Sequence, residues 1–150
     1  MSLKVKRIAS TAQMKRFAAD IARQTAAEPL GKYAKVIALV GDLGAGKTTF
    51  TQGFLKELGV KRRIISPTFL IMRPYKLSTV NYHLAFHIDC YRLNKPKELL
   101  ALGLRDLTRE PGHIVLIEWP ELVEKYLPRN ARWIEIEHPK KGTHRTVRAS

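Results

Sequence analysis

Gly41-Asp42-Leu43-Gly44-Ala45-Gly46-Lys47-Thr48 fits the spacing G-x-x-x-x-G-K-[ST], the Walker A or P-loop pattern. Its glycines let the backbone turn so that several N–H groups point at one spot, where a phosphate can sit. Lys47 adds a mobile positive charge for the β- and γ-phosphates of a nucleotide, and Thr48 offers a hydroxyl to Mg²⁺. The pattern has this meaning only between a strand and a helix. Val36-Ile37-Ala38-Leu39-Val40 reads as a buried parallel strand before it. Phe50, Phe54 and Leu58, at i, i+4 and i+8, mark one face of a helix after it, and Gly59 stands where that helix should end. The helix N-terminus adds partial positive charge to the same spot.

Working outward, Ser10 and Gln13 fit a capping box for a helix whose apolar face is Met14, Phe17, Ala18, Ile21 and Ala22, fading near Thr25. Residues 3–8 read as a short edge strand. Residues 26–35, with Pro29 and Gly31, read as a loop. Arg63-Ile64-Ile65 reads as a short strand, broken by Ser66-Pro67-Thr68-Phe69. Residues 69–75 and 83–91 read as an antiparallel ribbon joined by a turn at residues 78–81. In it, Tyr82, Leu84, Phe86, Ile88 and Cys90 face one way and His83, Ala85, His87, Asp89 and Tyr91 the other. Residues 96–104 predict one short helix through Leu99, Leu100 and Leu102. His113-Ile114-Val115-Leu116-Ile117-Glu118 predicts a second buried strand. Pro120 opens a helix presenting Leu122, Val123, Tyr126 and Leu127 to the core. Further strands are expected around Trp133, Ile134 and Ile136 and over residues 143–148. The class is α/β: a three-layer P-loop NTPase fold, a mostly parallel central sheet with an antiparallel ribbon, as one domain over residues 1–150.

The 150 residues carry one cysteine, Cys90, which excludes an internal disulfide or a cysteine zinc cluster. No apolar run approaches the ~20 residues of a membrane span, and Met1 to Arg7 lacks the apolar core of a signal peptide. A cytoplasmic protein is expected. The net charge of +14 suggests a polyanionic partner, RNA or an acidic protein surface. A plain solvated surface is the competing reading, because the cations are scattered and carry no interleaved aromatic stripe.

An ATPase needs an acid for Mg²⁺ and a group that aligns water. Glu118 ends an apolar strand and is preferred for the metal, with Asp89 across the site as the water-orienting base; Asp89 in the metal role is the alternative. Asp89 also reads as a strand-end carboxylate paired with Arg92, and Glu118 as a helix-entry acid before Pro120. By position alone Thr68 is an ordinary turn threonine. Asn94-Lys95-Pro96-Lys97 lacks the aspartate that reads guanine, which argues against GTP. The five histidines show no metal-ligand spacing, and His87 reads as a strand residue near the site.

Four motifs now stand in one order: residues 41–49, Ser66-Pro67-Thr68-Phe69, His87-Ile88-Asp89-Cys90-Tyr91-Arg92-Leu93, and Ile117-Glu118-Trp119-Pro120-Glu121. The set resembles the TsaE family, small bacterial P-loop ATPases required for threonylcarbamoyladenosine next to the anticodon of tRNA. The resemblance runs from the first helix through Ile136. It implies that Leu43, Gly44, Ala45, Gly46, Lys47, Thr48 and Thr49 hold the phosphates of ATP, with Asp42 assisting. It implies that Thr48 and Glu118 hold Mg²⁺, that Thr68 acts in a first switch region, that Asp89 is the acid needed for hydrolysis, and that Trp119 supports the site. It further implies a TsaD-like catalytic subunit and a TsaB-like subunit as partners, with ATP hydrolysis resetting their complex between rounds. Arg105 after Leu102-Gly103-Leu104, where many relatives carry an acid, and Cys90, often bulkier, depart from the family pattern. A small-molecule kinase, and a basic RNA-binding module with a structural nucleotide, are the rival readings.

Overall fold

The structure is a computed structural model and describes residues 4–42, 44–65, 71–138 and 144–150. Leu43, Thr68 with the rest of the Ser66–Phe69 motif, Lys140 and Lys141 lie outside the described residues.

Ser10 caps the first helix, α1 (Thr11–Ala27), by accepting from the Gln13 N–H at 3.1 Å. The Gln13 side chain accepts in return from Ala9 N–H at 2.7 Å, one residue before the cap. The expected apolar face is buried, with Met14, Phe17, Ala18, Ile21 and Ala22 all at 5% exposure or less. It packs on α2 (Lys47–Glu57), the helix opened by the P-loop. That contact is close: a Cβ on Gly53 of α2 would lie 2.8 Å from the Lys15 backbone of α1. Gly53→Ala is therefore expected to destabilise the fold by about 1–2 kcal/mol. Overpacking of about 1–3 kcal/mol outweighs the roughly 1 kcal/mol gained in helix propensity. Urea unfolding measures it, and unchanged or raised stability would contradict the close packing.

The strands are β1 (Lys4–Ile8), β2 (Lys35–Val40), β3 (Met72–Lys76), β4 (Leu84–Asp89), β5 (His113–Glu118), β6 (Arg132–Glu137) and β7 (Arg145–Ala149). Among the described residues they form one sheet of seven in the order β1-β7-β6-β2-β5-β4-β3. The central four, β6, β2, β5 and β4, run parallel; β7 and β3 flank them antiparallel, and β1 pairs antiparallel with β7 at the edge. Two cores cover the two faces, as a parallel centre requires. One joins α1 and α2 to the sheet. The other lies under α3 (Pro96–Ala101), α4 (Leu104–Arg109) and a 3-10 helix, Pro120–Tyr126. Among the described residues no helix is long and apolar enough to cross a membrane.

Two expectations are corrected. Residues 63–65 form no strand; the Ile64 carbonyl accepts from Gln52 Nε2 and the Ile65 carbonyl from Tyr75 Oη, each at 3.4 Å, so side chains replace a ladder. The single helix over residues 96–104 is two, because Gly103 at φ 94 turns the chain and Leu102 is left 50% exposed. The expected antiparallel ribbon is present as β3 and β4, and β4 also pairs parallel with β5, which joins the ribbon to the sheet. The polar residue His87 on β4 is fully buried.

Candidate functional site

Three strands deliver the site at their carboxyl ends. β2 runs into Gly41, β4 ends in Asp89 and β5 ends in Glu118. Register places Glu118 between Leu39 of β2 and Asp89 of β4, so both acids lie at the edge where the P-loop begins. Ligands of open α/β sheets bind at this edge. A pocket of about 400 Å³ opens there, lined by Gly44, Gly46, Lys47, Thr48 and Thr49 from the loop and helix, and by Asp89, Glu118 and Trp119 from the strand ends.

Gly46 takes φ 114 as it enters α2, a conformation L side chains rarely adopt, and a Cβ there would come within 3.2 Å of Met14. No side chain caps the start of α2, and its first residues, Lys47, Thr48 and Thr49, line the pocket. Lys47 follows at 5% exposure. Its ammonium donates to the Gly41 carbonyl and sits 3.6 Å from the centre of the Trp119 ring. Burial pulls the Lys47 pKa below the ordinary lysine range, opposed by the nearby carboxylates, Glu118 first.

Asp89 Oδ1 accepts from the Tyr91 N–H at 3.0 Å. Burial raises its pKa above the usual carboxylate range; that hydrogen bond opposes the shift and the Glu118 charge adds to it. Glu118 is 3% exposed, and its Oε2 lies 2.6 Å from Nε2 of buried His87 on β4. That contact explains the polar residue inside the sheet. Two residues with left-handed backbones bracket the acids. Ile71, at φ 61, gives its carbonyl to Asp89 N–H at 2.8 Å, and Trp119, at φ 56, directly follows Glu118. Bulky residues rarely adopt this region, at a cost of order 1–3 kcal/mol each, and such outliers concentrate at functional sites. Cys90 is 3% exposed and its thiol pKa is pushed up to about 12, chiefly by burial, so it is an inert core residue.

Not every predicted residue joins the pocket. Asp42 is exposed and lines a neighbouring groove with Glu135, His138 and His144. The Ala45 side chain is fully buried in the core. Four pocket residues had no signal in local sequence: Ser10, Thr11 and Met14 from the start of α1, and Arg145 from β7. Arg145 Nη2 donates to the Gly44 carbonyl at 3.2 Å, holding the loop from the far end of the chain. Helix packing and sheet order bring these together. Tyr91 and Arg92 line the same wall, and the Tyr91 ring lies 5.2 Å from that of Trp119.

Oxygen donors of the kind Mg²⁺ prefers are present in Thr48, Glu118 and Asp89, with Lys47, Arg92 and Arg145 as cations in the same pocket. Among the described residues no cluster of three or more His, Cys, Asp or Glu side chains could hold a metal unaided. A donor set this sparse suits an ion that takes its remaining ligands from phosphate and water.

A glycine loop opening a helix at the carboxyl edge of a parallel sheet, opposite a strand-end acid on the adjacent strand, defines the class of P-loop nucleotide-binding folds. The family model described as "Threonylcarbamoyl adenosine biosynthesis protein TsaE" matches residues 8–147, and the chain belongs to this TsaE family. The tRNA threonylcarbamoyladenosine biosynthesis protein TsaE of Bacillus subtilis (strain 168) is 41% identical over 117 residues, 78% of this chain and 69% of that protein. The protein of the same name from Haemophilus influenzae is 37% identical over 103 residues, 69% of this chain and 63% of that one. The match to its Rickettsia felis namesake covers 52% of the relative, at 41% identity over 93 residues. The crystal structure of B. subtilis YdiB superposes with a TM-score of 0.76 at 31% identity, covering 99% of this chain and 84% of that one.

Proposed function

We propose that this chain binds Mg·ATP in the pocket at the carboxyl edge of the sheet and hydrolyses it slowly. In this reading it serves tRNA threonylcarbamoyladenosine synthesis in the cytoplasm. The observation that carries the reading is the register of Glu118 between Leu39 and Asp89, which sets two acids against the loop that ends in Lys47. The amides at the start of α2 and the Lys47 ammonium would grip the phosphates. Thr48 and Glu118 would hold Mg²⁺, which when bound neutralises charge on the β- and γ-oxygens. Asp89, biased by burial toward holding a proton, is suited to accept one from an attacking water. Trp119 closes one side of the site over Lys47. Ser10, Thr11, Met14 and Arg145 form the wall left for the rest of the nucleotide. Arg92, on the pocket wall, is the candidate in cis for steadying transition-state charge. TsaD-like and TsaB-like subunits are the proposed partners, and hydrolysis resets their complex between turnovers.

Calorimetry with Mg·ATP tests the binding half, and an absence of heat would end it. Nucleoside mass spectrometry of tRNA from cells lacking the protein tests the biological half. Loss of threonylcarbamoyladenosine is expected, and a normal level would remove the assignment while leaving ATP binding intact. Hydrolysis is expected to be slow for the chain alone and faster with both partners. Tens of turnovers per second unaided would contradict a resetting role.

A further inference from the structure

Cations scattered along the sequence converge at the edge of the sheet opposite the pocket. Lys32 and Tyr33 immediately precede β2, Arg105 and Arg109 lie on α4 before β5, and Lys125, Tyr126 and Arg129 precede β6. These segments meet in a groove of about 680 Å³, at the amino ends of the parallel strands. The Ala34 N–H donates to the Thr108 carbonyl at 2.9 Å and ties two of them together. A six-residue strand separates this edge from the nucleotide pocket, about 20 Å at the rise of a β-strand.

The five cations are exposed and, among the described residues, no acidic side chain lines the groove. Tyr33 is 38% exposed with the Lys32 ammonium 5.4 Å from its ring centre. Tyr126 carries Arg105 at 5.6 Å and Lys125 at 5.2 Å. A solvated surface needs no aromatic rings among its cations. Rings interleaved with cations suit a strand whose phosphates meet the cations while unpaired bases stack. Duplex bases are already stacked and cannot use the rings.

We propose that this groove binds a single-stranded RNA segment. Phosphates lie on Arg105, Arg109 and Arg129, and a base stacks on Tyr33. The choice of RNA over DNA rests on the tRNA role proposed above; the affinity for an unpaired strand rests on the groove residues alone.

The test is fluorescence anisotropy of the full chain with a labelled 12-nucleotide uridine RNA in low salt. Arg105→Glu, Arg109→Glu and Arg129→Glu together are expected to weaken binding at least tenfold. Lys4→Glu, Lys6→Glu and Lys61→Glu, with the same change in net charge, are expected to weaken it less than threefold. The groove triple should also flatten the log–log salt slope by about 2, at roughly 0.7 per lost phosphate contact. Tyr33→Ala is expected to cost three- to tenfold, and Tyr33→Phe to restore binding. Equal losses from the two triples, no effect of Tyr33→Ala, or equally tight binding of duplex RNA or a polyglutamate peptide would overturn the proposal. Equal affinity for a thymidine 12-mer would overturn the assignment to RNA. Mg·ATP calorimetry on each variant separates the two sites. A silent groove with intact nucleotide binding defeats this inference alone, whereas a wild-type chain that binds RNA but no ATP defeats only the nucleotide reading.

Discussion

Lys47→Ala is expected to weaken Mg·ATP binding about a hundredfold, or ~2.7 kcal/mol, the scale of a lost charge-assisted hydrogen bond to phosphate. The fold should survive the change. The Lys47 ammonium is buried against Trp119 and the Gly41 carbonyl, and burial already disfavours its charged form. Alanine removes that desolvation burden, and its helix propensity suits the first position of α2. Calorimetry and a thermal melt on the same sample separate the two effects. Undiminished ATP binding would mean that the loop grips no triphosphate, and loss of binding together with unfolding would mean that Lys47 is structural.

Asp89→Asn is expected to leave Mg·ATP binding within a few-fold of wild type while lowering hydrolysis about a thousandfold, within the range for losing a general base. Asparagine keeps an oxygen that can accept from the Tyr91 N–H, so the local turn persists. It removes a negative charge that burial and neighbouring Glu118 both disfavour. The Asp89 pKa is raised in the folded chain, so at neutral pH the ionised group works against folding, and the metal-free variant should melt higher than wild type. Single-turnover hydrolysis measured beside nucleotide affinity is the check. An unaltered rate would place the water-orienting role elsewhere, and a parallel loss of affinity would move Asp89 toward the metal.

The segments legible in advance are those whose signal is local. The P-loop needs eight consecutive residues and their flanks, and Phe50, Phe54 and Leu58 bury as the helical spacing predicts. β5 was readable because a central parallel strand is apolar on both faces, and Glu118 because it interrupts that run. Residues 63–65 misled because a pair of isoleucines carries no information about where its carbonyls find donors. β4 was legible as a strand with His87 near the site, but the partner of that ring, Glu118, stands thirty-one residues away along the chain and could not be read locally.

The P-loop, the helix it opens, the apolar strands and the acids that end them are all legible along the chain. Periodicity and turn chemistry act over a few residues and are written along the chain. Folding in three dimensions sets Asp89 and Glu118 side by side, closes the pocket with Ser10, Met14 and Arg145 from the two ends of the chain, and gathers Lys32, Arg105 and Arg129 into one groove. Strand order and helix packing settle these neighbours, because burying both faces of a parallel sheet joins segments whose separation along the chain bears no relation to their separation in space.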